Sequence, residues 1–110
     1  MSTRNAQKVS LTGLNPSFAN VDDEGDQFAN SGREVVHLKN TSLAALDVTI
    51  ASAADCNQGF THNVVVSVPA EGERLVGPFP KTRFDDEGFV KLSYEEHSEG
   101  DLKIAVIQVA

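Results

Sequence analysis

The carboxylates are the side chains of this sequence best supplied for chemistry. Eleven of its sixteen Asp and Glu residues fall in three clusters: Asp22-Asp23-Glu24-Asp26, Asp85-Asp86-Glu87 and Glu95-Glu96-Glu99-Asp101. A calcium ion takes six to eight oxygens from such groups on loops. The first cluster, DDEGD, comes nearest to a calcium loop, because Gly25 permits a tight turn before Asp26. It does not follow the twelve-residue EF-hand spacing and offers no Glu placed to ligate through both oxygens. A solvated acidic loop is therefore the better reading of Asp22, Asp23, Glu24 and Asp26, and no metal or cofactor is expected.

The other reactive residue types are sparse. His37, His62 and His97 stand far apart, each on or beside an expected strand. Strands can gather distant residues, so zinc stays open, but no H-x-H or C-x-x-C pair supports it, and structural or surface roles are expected. Cys56 is the only cysteine, so no internal disulfide forms. Its neighbours Asp55 and Asn57 offer no positive charge to favour a thiolate. There is no G-x-S-x-G elbow, no Cys–His signature and no glycine-rich phosphate loop. A glycosidase would use paired carboxylates with aromatic platforms for sugar, and this chain has no Trp and one Tyr. The expectation is a protein that is not an enzyme. The same shortage counts against a carbohydrate-binding module, which is kept as the runner-up because its sandwich architecture would fit.

The elements that must position these groups read as strands. In Val64–Phe79, Val64, Val66 and Val68 alternate with Val65 and Ser67, the period of a strand with one buried face. Pro69 ends it, Ala70–Glu73 turns the chain, and Arg74–Val76 returns. Gly77-Pro78-Phe79-Pro80 then makes a second corner, either closing the body or offering Phe79 to a neighbour. Further strands are expected over Lys8–Thr12, Glu34–Asn40, Leu46–Ile50, His62–Val68, Phe89–Tyr94 and Leu102–Val109. The last has Leu102, Ile104 and Val106 inward but Ile107 and Val109 opposite, so it is buried on both faces or carries a bulge. Turns fall at Asn30-Ser31-Gly32, Asn57-Gln58-Gly59, Asp86-Glu87-Gly88 and Ser98-Glu99-Gly100. Helix formers are confined to Ser42–Ala45 and Ala51–Asp55. The expected fold is all-β: an antiparallel β-sandwich or jelly-roll-like small barrel over residues 31–110.

Residues 1–30 read as an N-terminal arm or extended loop with Phe18, Val21 and Phe28 as isolated apolar anchors. It packs on its own domain or reaches a neighbouring subunit. Apolar residues also spill onto the second face of the strands at Val35, Val65, Ile107 and Val109. A second sheet would cover them, or a subunit interface would. Phe18, Phe28 and Phe79 are the expected apolar contacts to a partner.

Composition bounds the partners. A chain of 110 residues makes one domain, and 40% apolar residues suffice for one modest core. Nine Lys and Arg against sixteen acids give a net charge of −7, with the basic residues scattered singly along the sequence. Nucleic acid and anionic membrane are therefore not expected partners. No signal-peptide core and no membrane-spanning apolar run is present, so synthesis and solubility in a cytosol are expected.

Three segments carry a resemblance: Asn30–Asn40 (NSGREVVHLKN), Val66–Ala70 (VSVPA) and Arg74–Pro80 (RLVGPFP). Together they resemble small β-sandwich proteins encoded among the structural genes of tailed bacteriophages. The likeness runs in order from about Asn30 to Val109 and rests on fold-shaping residues. It is similar to capsid decoration (cement) proteins, which brace the outer shell, commonly as trimers; relatives of that size also serve at the head–tail junction or in the tail. The resemblance implies a virion protein made in a host cytoplasm, with a major capsid protein and copies of itself as partners, and it supplies no catalytic residue.

Overall fold

The computed structural model describes residues 2–52, 63–80, 84 and 87–109. Ten strands run through them: β1 (Ser2–Arg4), β2 (Gln7–Lys8), β3 (Ala19–Asn20), β4 (Asp26–Ala29), β5 (Glu34–Asn40), β6 (Leu46–Ile50), β7 (Val64–Val68), β8 (Glu73–Val76), β9 (Phe89–Tyr94) and β10 (Leu102–Gln108). Sheet I has the order β1-β4-β9-β6-β7, and sheet II the order β2-β10-β5-β8. β3 also pairs with β10, at Lys103 and Ile104, while β2 pairs at Ile107 and Gln108. The longest and most regularly alternating runs form the central strands. β5 alternates buried and half-buried residues along its whole length, and β6 buries Leu46, Val48 and Ile50.

The fold is all-β, but its two sheets are mixed rather than purely antiparallel. β1 pairs parallel to β4, and β2 parallel to β10. Both parallel pairs involve strands near the N-terminus, which reach their partners through long connections, as parallel pairing requires; hairpins would have made them antiparallel. The segment 2–30 thus lies along its own sheets, with β1 and β4 in sheet I and β2 and β3 in sheet II.

One core fills the space between the sheets, in a β-sandwich-like arrangement. Phe28, Val48, Ile50, Val90 and Leu92 enter it from sheet I, and Val36, Leu38, Leu102, Ile104 and Val106 from sheet II. Fully burying each such side chain contributes about 1.5–3 kcal/mol. The shortest dimension of the molecule, 21 Å, matches two sheets about 10 Å apart with one layer of side chains outside each.

The corner after β8 completes that core. Gly77 has a φ of +131°, and a Cβ there would lie 2.9 Å from the Glu34 carbonyl oxygen. Only glycine fits so close to β5 in that conformation. The Gly77–Pro78 peptide is cis. Phe79 then packs between Phe28 and Phe84, with ring centroids 5.6 and 5.5 Å away. Phe28 and Phe79, expected as contacts to a partner, are therefore core residues of their own chain: Phe28 is 0% exposed. Phe28 takes an inward position of β4, and Phe79 follows the Gly77–Pro78 corner, so isolation in sequence did not mark either as a surface residue.

Two strand expectations also change. The strand expected over Lys8–Thr12 stops early: Val9 gives its N–H to Gln108, where β10 ends, and Ser10–Gly13 then turns back. β10 needs no bulge, since it keeps seven consecutive partners on β5, from Leu102↔Asn40 to Gln108↔Glu34. Ser42–Ala45 is a loop stabilised by Asn40, whose side chain bonds the Ala44 and Val68 carbonyls and the Ser42 N–H. Cys56, His62, Asp85, Asp86 and the Asn57-Gln58-Gly59 turn lie outside the described residues.

Candidate interaction surface

The DDEGD cluster does not act as one group. Asp26 is buried, and one of its oxygens takes the Arg4 Nε at 2.6 Å. The other accepts the Tyr94 hydroxyl at 2.6 Å and the Asp22 N–H at 3.1 Å. Arg4 also donates to the Asn20 carbonyl, so this one network ties β1, β3 and β9 to the start of β4. Burial, and then the Asp26 carboxylate that accepts its proton, push the Tyr94 hydroxyl far above the ordinary tyrosine range. Asp22 accepts the Ser2 hydroxyl and the Glu24 N–H, and these hold its carboxyl below the usual value. Asp23 faces His97 Nε2 at 3.1 Å, while His97 Nδ1 meets the Glu95 carbonyl at 2.8 Å. The cluster is thus a set of bonds fastening the N-terminal segment to the β9–β10 loop. Among the described residues no three His, Cys, Asp or Glu side chains are grouped to hold a metal ion.

Sheet II has its own buried carboxylate, Glu34, which among the described residues is held by neutral donors. Its oxygens accept the Ser31 N–H at 2.7 Å, the Ser31 hydroxyl at 2.8 Å and Gln108 Nε2 at 2.8 Å. Burial pushes the Glu34 carboxyl upward as the largest single influence. The donors of Ser31, Gln108 and Arg33 together outweigh it and leave the group below its ordinary value.

Charge is distributed unevenly over the outside. One end of the molecule gathers the Asp22–Gly25, Thr41–Ala45, Pro69–Gly72 and Glu95–Asp101 loops, joined by bonds such as Thr41 N–H to the Asp101 carbonyl and Glu71 N–H to the Ser42 carbonyl. It carries Asp22, Asp23, Glu24, Glu71, Glu95, Glu96, Glu99 and Asp101. Leu43 stands among them, 87% exposed, on the rim of a concavity of about 460 Å³ shared with Glu96, His97 and Asp101.

The outer faces of the two sheets differ in character. On sheet I, strand alternation places Thr3, Gln27, Lys91, Ser93, Asp47, Thr49 and Ser67 outward, with Val65 and Phe89 as the large apolar members. On sheet II the rows opposite the core are Leu75–His37–Ala105, in which Ala105 is buried, and Val35–Ile107. Leu75 is 66% exposed, and Val9 and Val109 continue the apolar surface past the end of β10. Phe18, the third expected contact, belongs here: it is half-buried, its ring edge-on to His37 at 4.8 Å, with Lys39 Nζ 4.1 Å above it.

The row beyond carries the basic residues. Lys39 and Lys103 are direct cross-strand partners, and Lys103 Nζ bonds Asn20 Oδ1 at 2.9 Å. Like charges directly opposite on adjacent strands are destabilising. The nearest acid in that row, Glu73, is engaged by His37 at 2.6 Å. Sequence reading missed this pair because residues 39 and 103 meet only through the β5–β10 register. The outward phase of each was visible, and nothing local matched them.

No protein-family model matches the chain, and no curated protein or solved structure matches it significantly.

Proposed function

We propose that the chain is a non-enzymatic structural protein of a tailed-bacteriophage virion, a decoration protein that binds and braces the capsid shell alongside copies of itself. The observation that carries this reading is the apolar outer face of sheet II. Leu75, Val9 and Val109 are exposed there, with Val35 and Ile107 half-buried beside them, on a rigid two-sheet body where a solitary protein gains little from exposed apolar groups. Protein surfaces buried on assembly have this makeup: an apolar centre with charged residues at its margin. The acidic loop end fits the same reading, since charge of one sign keeps a densely arrayed protein soluble. The resemblance of the Asn30–Asn40, Val66–Ala70 and Arg74–Pro80 segments to phage decoration proteins supplies the kind of assembly. A jelly-roll connectivity and an N-terminal segment that engages neighbours belong to this proposal as well.

The test is co-sedimentation with shells assembled from the major capsid protein encoded beside this chain's gene. The purified chain is expected to pellet with shells, and Leu75→Ser to reduce the bound fraction at least tenfold. A genome without such a neighbour, or shells that leave the chain in the supernatant, overturns the proposal.

A further inference from the structure

We propose that residues 2–20 form a flap that lifts from the folded body as one unit, with Arg4 as its clasp and Val21 as its hinge, baring the outer edges of β4 and β10. The device belongs to the isolated chain and stands apart from the proposed assembly.

The flap is attached almost entirely by polar groups. Among the described residues from Ser2 to Asn20 none is buried, whereas Val21 enters the core and gives its N–H to the Leu102 carbonyl at 3.1 Å. Three short ladders join the flap to the body: β1 on β4, and β2 and β3 on β10. Side chains add Ser2 to Asp22, Gln27 to Thr3, Arg4 to Asp26 and Lys103 to Asn20. Its aromatic contact is Phe18, half-buried against His37 with Lys39 above the ring. Segments that bury little apolar surface open at a lower free energy than the core. Lifting this one exchanges hydrogen bonds for water and leaves the side chains between the sheets in place. A lifted β1 also lets water reach Asp26, which then needs no cation.

Bonds inside the flap make it one piece. Arg4 Nη2 donates to the Asn20 carbonyl at 2.8 Å, so the side chain that holds Asp26 also ties the first strand of the flap to its last. Gln7 and Ser17 exchange two bonds, Nε2 to the carbonyl and N–H to Oε1, each of 2.9 Å. Only Asn5 and Ala6 separate β1 on sheet I from β2 on sheet II, so the flap bridges both sheets on this side. β1 covers the outer edge of β4, and β2 and β3 cover that of β10. A bare strand edge is a template for another strand, so the flap gates both edges together.

Hydrogen–deuterium exchange of the full chain at neutral pH, read residue by residue, tests this. Bonded amides of the flap, such as Val9 on the Gln108 carbonyl, are expected to exchange at least about a hundredfold faster than those of β5 and β6. Arg4→Met is expected to speed exchange at least tenfold throughout the flap, including at Val9, which Arg4 does not touch. Arg4→Lys keeps the charge without the fork and is expected to have a smaller effect in the same direction. Val68→Ala weakens the core on β7, at the far edge of sheet I from the flap. It is expected to speed exchange in β5 and β6 at least tenfold and leave the flap unchanged, because the body is weakened equally with the flap down or lifted. Flap amides as slow as those of β5 and β6 overturn the proposal. So do flap amides that Val68→Ala speeds as much as the core, or an effect of Arg4→Met confined to β1. If Arg4→Met does not fold, Arg4→Lys and Val68→Ala decide the matter. None of these readouts involves shells, so their failure leaves the proposed binding to a capsid standing.

Discussion

The two sheets handle burial in opposite ways. Sheet I keeps a charged pair inside and a polar surface outside: Asp26 is matched by Arg4 and Tyr94, and Thr49, Ser93 and Ser67 meet solvent. Sheet II keeps a charge inside that, among the described residues, neutral donors hold, at Glu34, and leaves a more apolar surface outside. A sheet with one face in the core and a polar other face is complete in water. A sheet whose second face is also apolar is complete only when something covers it. The difference leaves sheet I with the more polar outer face and sheet II with the more apolar one, the side the proposed function assigns to binding.

Substitutions can break that contrast, beginning with the interior. Arg4→Met leaves Asp26 buried without its cation and is expected to cost about 3–5 kcal/mol in urea unfolding, toward the low end because Arg4 is partly exposed. Tyr94→Phe removes a hydroxyl from the same carboxylate and is expected to cost about 1.5–3 kcal/mol. If Arg4→Met proves neutral, sheet I does not depend on its ion pair and the contrast in the interior disappears.

Glu34→Gln probes sheet II. It sets an amide against donors that need an acceptor, at an expected cost of about 1–3 kcal/mol near neutral pH. The pH dependence follows from the lowered Glu34 carboxyl. Its stabilisation is fully present above the unfolded glutamate value, about 4.3, and fades as pH falls through the lower folded value. Thermal melts between pH 7 and pH 3 should therefore fall less steeply for Glu34→Gln than for wild type. Equal slopes would show that Glu34 is not differentially held in the native state.

The smallest effects on stability belong to the outer faces. Leu75→Ser on sheet II and Ser93→Glu on sheet I should each change unfolding free energy by no more than about 0.5 kcal/mol. Only Leu75→Ser should weaken association. Equal losses from both, by sedimentation, would erase the assignment of a binding side.

Much of the interior was readable in advance. The inward residues of β5, β6 and β9 follow from alternation, because a strand repeats every two residues and a slip would expose the whole row; in β10 Leu102, Ile104 and Val106 keep that phase while Ala105 is buried as well. The short strands were not readable. β1, β2 and β3 hold two or three residues each, too few for a period, and take their form from the edges they meet. Phe28 and Phe79 show the same limit from the other side: neither belongs to a long alternating run, and only the Gly77–Pro78 corner and the β4–β9 pairing decide that they meet in the core.

The sequence by itself determined an acidic, all-β domain with its apolar rows in phase, since composition and alternation are local properties of the chain. It also placed Val35 and Ile107 opposite the inward rows. Tertiary structure alone decided that sheet II turns a more apolar face outward than sheet I, that Lys39 meets Lys103, and that Asp22 to Asp26 is a fastening rather than an open loop. Each of those facts depends on which strand lies beside which and in what register. That is fixed by the packing of a core built from distant segments, which no stretch of the chain records alone.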